Sequence, residues 1–72
     1  ISQFTLYGDT KKGNRPSFTM AMKPIEANNL YQELTKILKN TYLINTYEGV
    51  FGAHMDIHLI NDGPVTILLE SK

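Results

Sequence analysis

The chain has 72 residues, seven basic and seven acidic side chains, and no cysteine. The lack of cysteine excludes a disulfide framework and thiolate metal sites. No apolar run approaches the roughly 18 residues of a membrane span and no signal peptide opens the sequence, so we expect a cytoplasmic protein. A chain this short buries only about 60% of its unfolded surface, so we expect self-association or a missing part to supply further stability.

The first seven residues predict a β-strand, because apolar and polar side chains alternate with a period of two. Phe4 and Leu6 lie on one face of this strand and Gln3 and Thr5 on the other. A strand that starts at the first residue, with no cap or leader before it, indicates that the sequence begins inside a domain. We therefore expect the chain to be a fragment.

Residues 8–23 predict a loop, because turn-forming and charged residues are dense in this segment. The basic side chains of Lys11, Lys12 and Arg15 stand here beside a single acid, Asp9. A basic loop on a chain of zero net charge suits a local phosphate contact. A solvated, lysine-rich loop is the more common case, and charge alone does not separate the two.

The segment Pro24–Asn40 predicts a helix. Proline fits the first helical position, and Asn40 suits the C-terminal stop. Glu26 in the first turn and Lys36 and Lys39 near the end match the helix dipole. One apolar stripe recurs at helical spacing; it consists of Ala27, Leu30, Tyr31, Leu34, Ile37 and Leu38.

Three further segments have the composition of strands. Residues 43–51 and 65–70 are rich in β-branched and apolar side chains, and residues 54–60 alternate cleanly. With at least four strands and one long helix, we expect an α+β fold in which the helix covers a largely antiparallel sheet.

His54, Asp56 and His58 would share one face of such a strand at two-residue spacing. This set is suited to holding a metal ion or sharing a proton, so a metal-dependent hydrolase is an alternative function. A polar, solvent-exposed strand face is the more common meaning of the pattern. We favour that meaning, and expect no metal and no cofactor, because no further ligand cluster stands elsewhere in the sequence.

The strongest turn signal joins the last two predicted strands and ends in Gly63 and Pro64. A Gly-Pro bond at such a junction is a candidate for the cis isomer, which X-Pro bonds adopt in a small minority of cases. Taken alone, the stretch is better explained as an ordinary hairpin turn.

In combination, four stretches closely resemble the C-terminal half of the D-aminoacyl-tRNA deacylases, also called D-tyrosyl-tRNA deacylases. The stretches are residues 2–7, the Lys-Lys-Gly-Asn-Arg-Pro loop at 11–16, Phe51-Gly52 with Met55, and residues 61–66. The resemblance runs from Ser2 to Ser71 with every motif in order. It implies that residues 1–72 are the C-terminal part of a single deacylase domain whose N-terminal half is absent, and that the isolated chain lacks stable folding and activity.

The resemblance implies an enzyme, a cytoplasmic homodimer with active sites at the subunit interface. Such an enzyme hydrolyses the ester between a D-amino acid, or mischarged glycine, and the 3′-terminal adenosine of tRNA, and so proofreads translation. Gly63 and Pro64 would form a cis pair that enters the partner subunit's active site and excludes L side chains by a clash. A non-catalytic RNA-binding module is a further alternative.

The resemblance also assigns residues to the substrate. Ser2, Gln3, Phe4 and Thr5 match the residues around the scissile ester, where backbone N–H groups near Phe4 and Thr5 would hold the carbonyl oxygen. Thr5 has been considered a nucleophile in the family; we prefer catalysis largely by the ribose 2′-OH, with the protein positioning the reactants. The adenosine pocket would be formed by Ala27, Phe51, Gly52 and Met55, and the phosphate contacts by Lys11, Lys12 and Arg15.

Overall fold

The computed structural model describes residues 1–71 and contains two helical elements. The first is a short 3₁₀ helix, Phe4–Tyr7, and the second is an α-helix, α1, which spans Pro24–Asn40. In this part of the chain, no helix has the length and apolar character that crossing a membrane requires.

The helix predicted from the sequence is confirmed with the same bounds. Proline occupies its start, Glu26 lies in the first turn and Lys39 in the last, which places each charge at the favourable end of the helix dipole. The chain leaves the helix through Leu43, whose φ of 53° is left-handed, and the Ile44 N–H donates to the Leu38 carbonyl at 2.9 Å. The helix ends at Asn40, the stop that the sequence predicted, and the left-handed residue that follows it is Leu43.

The side of α1 that the rest of the chain covers differs in part from the predicted apolar stripe. Thr35 is buried at 7% exposure, and its hydroxyl donates to the Gln32 carbonyl at 2.9 Å. Ala27, Tyr31 and Leu38 are half-buried on the same side. The remaining members of the stripe stay exposed, because nothing packs on them in residues 1–71; they are Leu30, Leu34 and Ile37.

The predicted α+β fold, a largely antiparallel sheet covered by the helix, is wrong for this structure. Residues 1–7 contain the 3₁₀ helix, and no sheet forms within residues 1–71. The one β-type pairing described there is an isolated antiparallel bridge between Asp9 and Ser17. A strand needs hydrogen bonds to a neighbouring strand. The side-chain pattern indicates a preference for extended backbone, but it does not provide the neighbouring strand with which a sheet would form.

The described residues do not enclose a hydrophobic core. No hydrophobic side chain among them is buried, and the solvent-accessible surface is 7464 Å², against about 4,500 Å² expected of a folded protein of this size. The radius of gyration is 14.7 Å, against about 11 Å for a compact domain of this length. The apolar face of α1 and the extended segments therefore remain exposed to solvent.

Candidate functional site

The first group of predicted site residues lies at the start of the 3₁₀ helix. The Gln3 side-chain amide donates a hydrogen bond to the Thr5 hydroxyl oxygen, and the Gly8 N–H donates to the Thr5 carbonyl at 3.0 Å. The backbone N–H groups of Phe4 and Thr5 begin this helix, where the first N–H groups have no acceptor within the helix. Two polar groups of the predicted ester site, the Gln3 amide and the Thr5 hydroxyl, are thus adjacent, beside backbone donors that the helix leaves free.

An aromatic contact joins this segment to the following loop. The rings of Phe4 and Phe18 meet edge to face, with centroids 5.1 Å apart and planes at 74°, an arrangement that the ring quadrupoles favour. Gly8 lies against the Phe18 ring, because a Cβ on this residue would stand 3.0 Å from that ring and 3.1 Å from the Thr5 carbonyl oxygen. A side chain at position 8 would therefore displace Phe18 or the backbone of the predicted ester site.

The basic loop is closed at its base by backbone hydrogen bonds. The N–H groups of Asp9 and Ser17 each donate to the carbonyl of the other at 2.7 Å, and the Asp9 carboxylate accepts from the Lys11 N–H at 2.9 Å. Lys11, Lys12 and Arg15 all lie on the exposed part of this loop. The three cations therefore lie on one exposed loop and are accessible to an anion.

The predicted adenosine site is built on a turn that packs against α1. The Ala53 N–H donates to the Val50 carbonyl at 3.2 Å, and Gly52 has a φ of 76°, which is the conformation that position three of a type II turn requires. Phe51 is the second residue of this turn, directly before Gly52. Its ring lies 5.6 Å from the ring of Tyr31, centroid to centroid, with the planes tilted by 42°.

This contact brings Phe51 to the helix that carries Ala27, because Ala27 and Tyr31 are one helical turn apart. Met55 lies beside Gly49: its terminal methyl is 3.6 Å from the position that a Cβ on residue 49 would take. Tyr31 was assigned only to the apolar stripe by the sequence. Its position one turn after Ala27 is the one sequence feature that relates Tyr31 to the site, and its contact with Phe51 is seen only in the structure.

The Gly63–Pro64 peptide bond is cis. A Cβ on Gly63 would collide with the backbone nitrogen of Val65 and would lie 3.2 Å from the Asn61 side-chain oxygen, so glycine fits this position and larger residues do not. Both residues are exposed. Within residues 1–71, no hydrogen bond connects this turn to the predicted ester site.

The three residues of the alternative metal site are not brought together. His54 Nε2 lies 4.0 Å from an Asp56 carboxylate oxygen, and the two side chains are 96% and 87% exposed. Across the part of the chain that the structure describes, no group of three or more His, Cys, Asp or Glu side chains is placed to hold a metal ion. His58 therefore does not complete a ligand set with the other two.

Comparison with known proteins identifies the family. Residues 1–70 match the family model described as D-Tyr-tRNA(Tyr) deacylase, and the chain belongs to this family. The resemblance noted in the sequence is thereby confirmed.

Relatives in this family match the whole chain. It is 61% identical over 72 residues to the D-aminoacyl-tRNA deacylase of Halothermothrix orenii, covering 100% of this chain and 48% of that protein. It is 60% identical to the enzyme of the same name from Macrococcus caseolyticus, covering 100% of this chain and 47% of that protein, and 53% identical to that of Petrotoga mobilis, with 100% and 48% covered. The chain thus spans about half the length of the curated relatives it matches. No solved structure matches it.

Proposed function

We propose that residues 1–72 form the C-terminal part of a single deacylase domain, and that the complete domain removes D-amino acids, or mischarged glycine, from tRNA. The observation that carries this proposal is the match of residues 1–70 to the D-Tyr-tRNA(Tyr) deacylase family. Identities of 53–61% to proteins named D-aminoacyl-tRNA deacylase support it. The domain acts in the cytoplasm as a homodimer with its active sites at the subunit interface.

The reaction is the hydrolysis of an ester. Water attacks the carbonyl carbon, the bond to the 3′-oxygen of the terminal adenosine breaks, and that oxygen takes up a proton as it leaves. Free N–H groups at Phe4 and Thr5 stabilise the negative charge that develops on the carbonyl oxygen. Ser2 completes this side of the pocket.

Thr5 positions the reactants in this mechanism and does not attack the ester. A threonine nucleophile needs a neighbouring base to accept its proton. The Thr5 hydroxyl accepts its hydrogen bond from the Gln3 amide, which cannot serve as that base. The ribose 2′-OH of the substrate then assists the attacking water, and the protein holds the ester and the water in the orientation that the reaction requires.

The remaining residues recognise the substrate. Phe51 offers a stacking face to the terminal adenine, Gly52 allows its backbone to approach closely, and Ala27 and Met55 complete the pocket. Gly63 and Pro64 enter the site of the partner subunit, where backbone atoms occupy the space that an L side chain would need. The exposed position of this pair is consistent with a contact made to a second subunit.

The test of this function compares tRNA charged with D-tyrosine and tRNA charged with L-tyrosine as substrates of the complete domain. We expect the D-ester to be hydrolysed much faster than both the L-ester and the uncatalysed control. Binding of both tRNAs without turnover of either would contradict the proposal and would favour a non-catalytic RNA-binding module.

The basic loop gives a prediction about salt. Replacing Lys11, Lys12 and Arg15 together by alanine in the complete domain should weaken tRNA binding. Log affinity falls as log salt concentration rises, and this fall should become less steep by about 0.7–0.9 for each phosphate that the loop no longer neutralises. Titrations of tRNA binding at several salt concentrations measure this slope.

The matched control for the loop is Lys36→Ala, which removes a cation from the exposed side of α1. We expect the slope to be unchanged in this variant. An equal change per removed charge, with three charges removed from the loop and one at Lys36, would mean that net charge, and not the loop, sets the salt dependence.

A further inference from the structure

The contact between Phe51 and Tyr31 is one of two aromatic contacts in residues 1–71, and it lies at the candidate adenosine site. Both residues are half-buried, whereas most large apolar side chains of the chain are exposed. Tyr31 therefore covers part of the Phe51 ring, and the rest of that ring is left accessible.

The turn that carries Phe51 is fixed at its backbone but leaves the direction of the ring open. The hydrogen bond between Ala53 and Val50 and the left-handed Gly52 set the corner. The terminal torsion of a phenylalanine side chain is broad, so a neighbouring group has to select the plane of the ring. Tyr31 is that neighbour, and it stands on a regular helix.

We propose that Tyr31 is a positioning residue for recognition of the terminal adenine, acting through Phe51. This inference rests on the proposed function, because it assumes that Phe51 stacks on adenine. Tyr31 lies behind the Phe51 ring and holds it at the angle at which the base stacks on the accessible part. Aromatic pairs of this kind contribute beyond the area they bury, so the loss of Tyr31 is expected to weaken base recognition and not the binding of the rest of the substrate.

The experiment measures how tightly the complete domain binds two non-hydrolysable probes. The first is the D-tyrosyl amide of 3′-amino-3′-deoxyadenosine, and the second is the same amide on a sugar that lacks the base. In Tyr31→Leu we expect the first probe to bind about three- to tenfold more weakly and the second to bind as it does to the unmodified protein. Tyr31→Phe keeps the ring and should restore the affinity for the first probe.

Tyr47→Leu is the matched control, because it makes the same chemical change at a tyrosine outside the candidate adenosine site; both affinities should stay unchanged. If Tyr31→Leu does not fold, Tyr31→Met repeats the test with a side chain that adapts to irregular gaps. Equal weakening for both probes, or no weakening for either, would overturn the role of Tyr31 while leaving the adenosine site intact. If the unmodified domain does not distinguish the two probes, the proposed adenosine site itself fails.

Discussion

Residues 1–72 in isolation are expected to show no cooperative thermal unfolding and no hydrolysis of D-aminoacyl-tRNA. The physical reason is that no hydrophobic side chain in residues 1–71 is buried, and burial of apolar surface is the main favourable term in folding. A folded domain of this length would unfold with an enthalpy of about 50 kcal/mol near 60 °C. Calorimetry of the isolated chain should find no transition of that size.

The exposed apolar side chains show how much stabilisation by burial the isolated chain lacks. They include Val50 at 70%, Leu69 at 88% and Ile60 at 97%, and each would contribute about 1.5–3 kcal/mol if it were fully buried. The 17 residues of α1 are near the length at which an isolated helix is only marginally stable in water. We therefore expect partial helicity by circular dichroism, decreasing gradually with temperature.

The complete domain, measured under the same conditions, is the control for this prediction. It should melt cooperatively and hydrolyse the D-ester. A cooperative melt together with turnover by the isolated chain would contradict the prediction, and would mean that the described residues acquire a core of their own, for example by self-association.

The part of the fold that the sequence predicts correctly is the part that depends on local interactions. The bounds of α1 follow from a proline at its start, a charge pattern that matches the dipole and apolar residues at helical spacing, and all of these act within a few turns. The predicted strands depend on hydrogen bonds to residues distant in sequence. Apolar and polar side chains alternate regularly over residues 54–60, but this segment forms no ladder of β-sheet hydrogen bonds within the described part of the chain.

The same distinction applies to the candidate site. Two of its local features were predicted from the sequence: the basic loop within residues 8–23 and the turn that ends in Gly63 and Pro64. The contact between Tyr31 and Phe51 was not, because these residues are far apart in the chain and each has a sufficient explanation as an apolar residue. Only the structure shows that the helix reaches the turn.

The replacement Pro64→Ala in the complete domain is expected to relax the discrimination against L-amino acids. The proline ring fixes φ and removes a backbone N–H. Alanine at this position therefore lets the backbone of the turn adopt other φ values. In the proposed mechanism, backbone atoms of Gly63 and Pro64 exclude the L side chain by a clash and make no contact with the D side chain. Hydrolysis of the L-ester should therefore rise, by about tenfold for each 1.4 kcal/mol of clash that is relieved, while hydrolysis of the D-ester changes little.

The measurement is the ratio of kcat/KM for tRNA charged with D- and with L-tyrosine. Pro24→Ala is the matched control, since it makes the same change at the first residue of α1, where alanine is also well tolerated, and it should leave the ratio unchanged. A loss of activity towards both substrates in Pro64→Ala, with their ratio preserved, would assign the turn to folding or subunit association. An unchanged ratio at full activity would show that Gly63 and Pro64 do not select the enantiomer. A gain in activity for the L-ester alone requires that these two residues lie against the amino acid of the substrate.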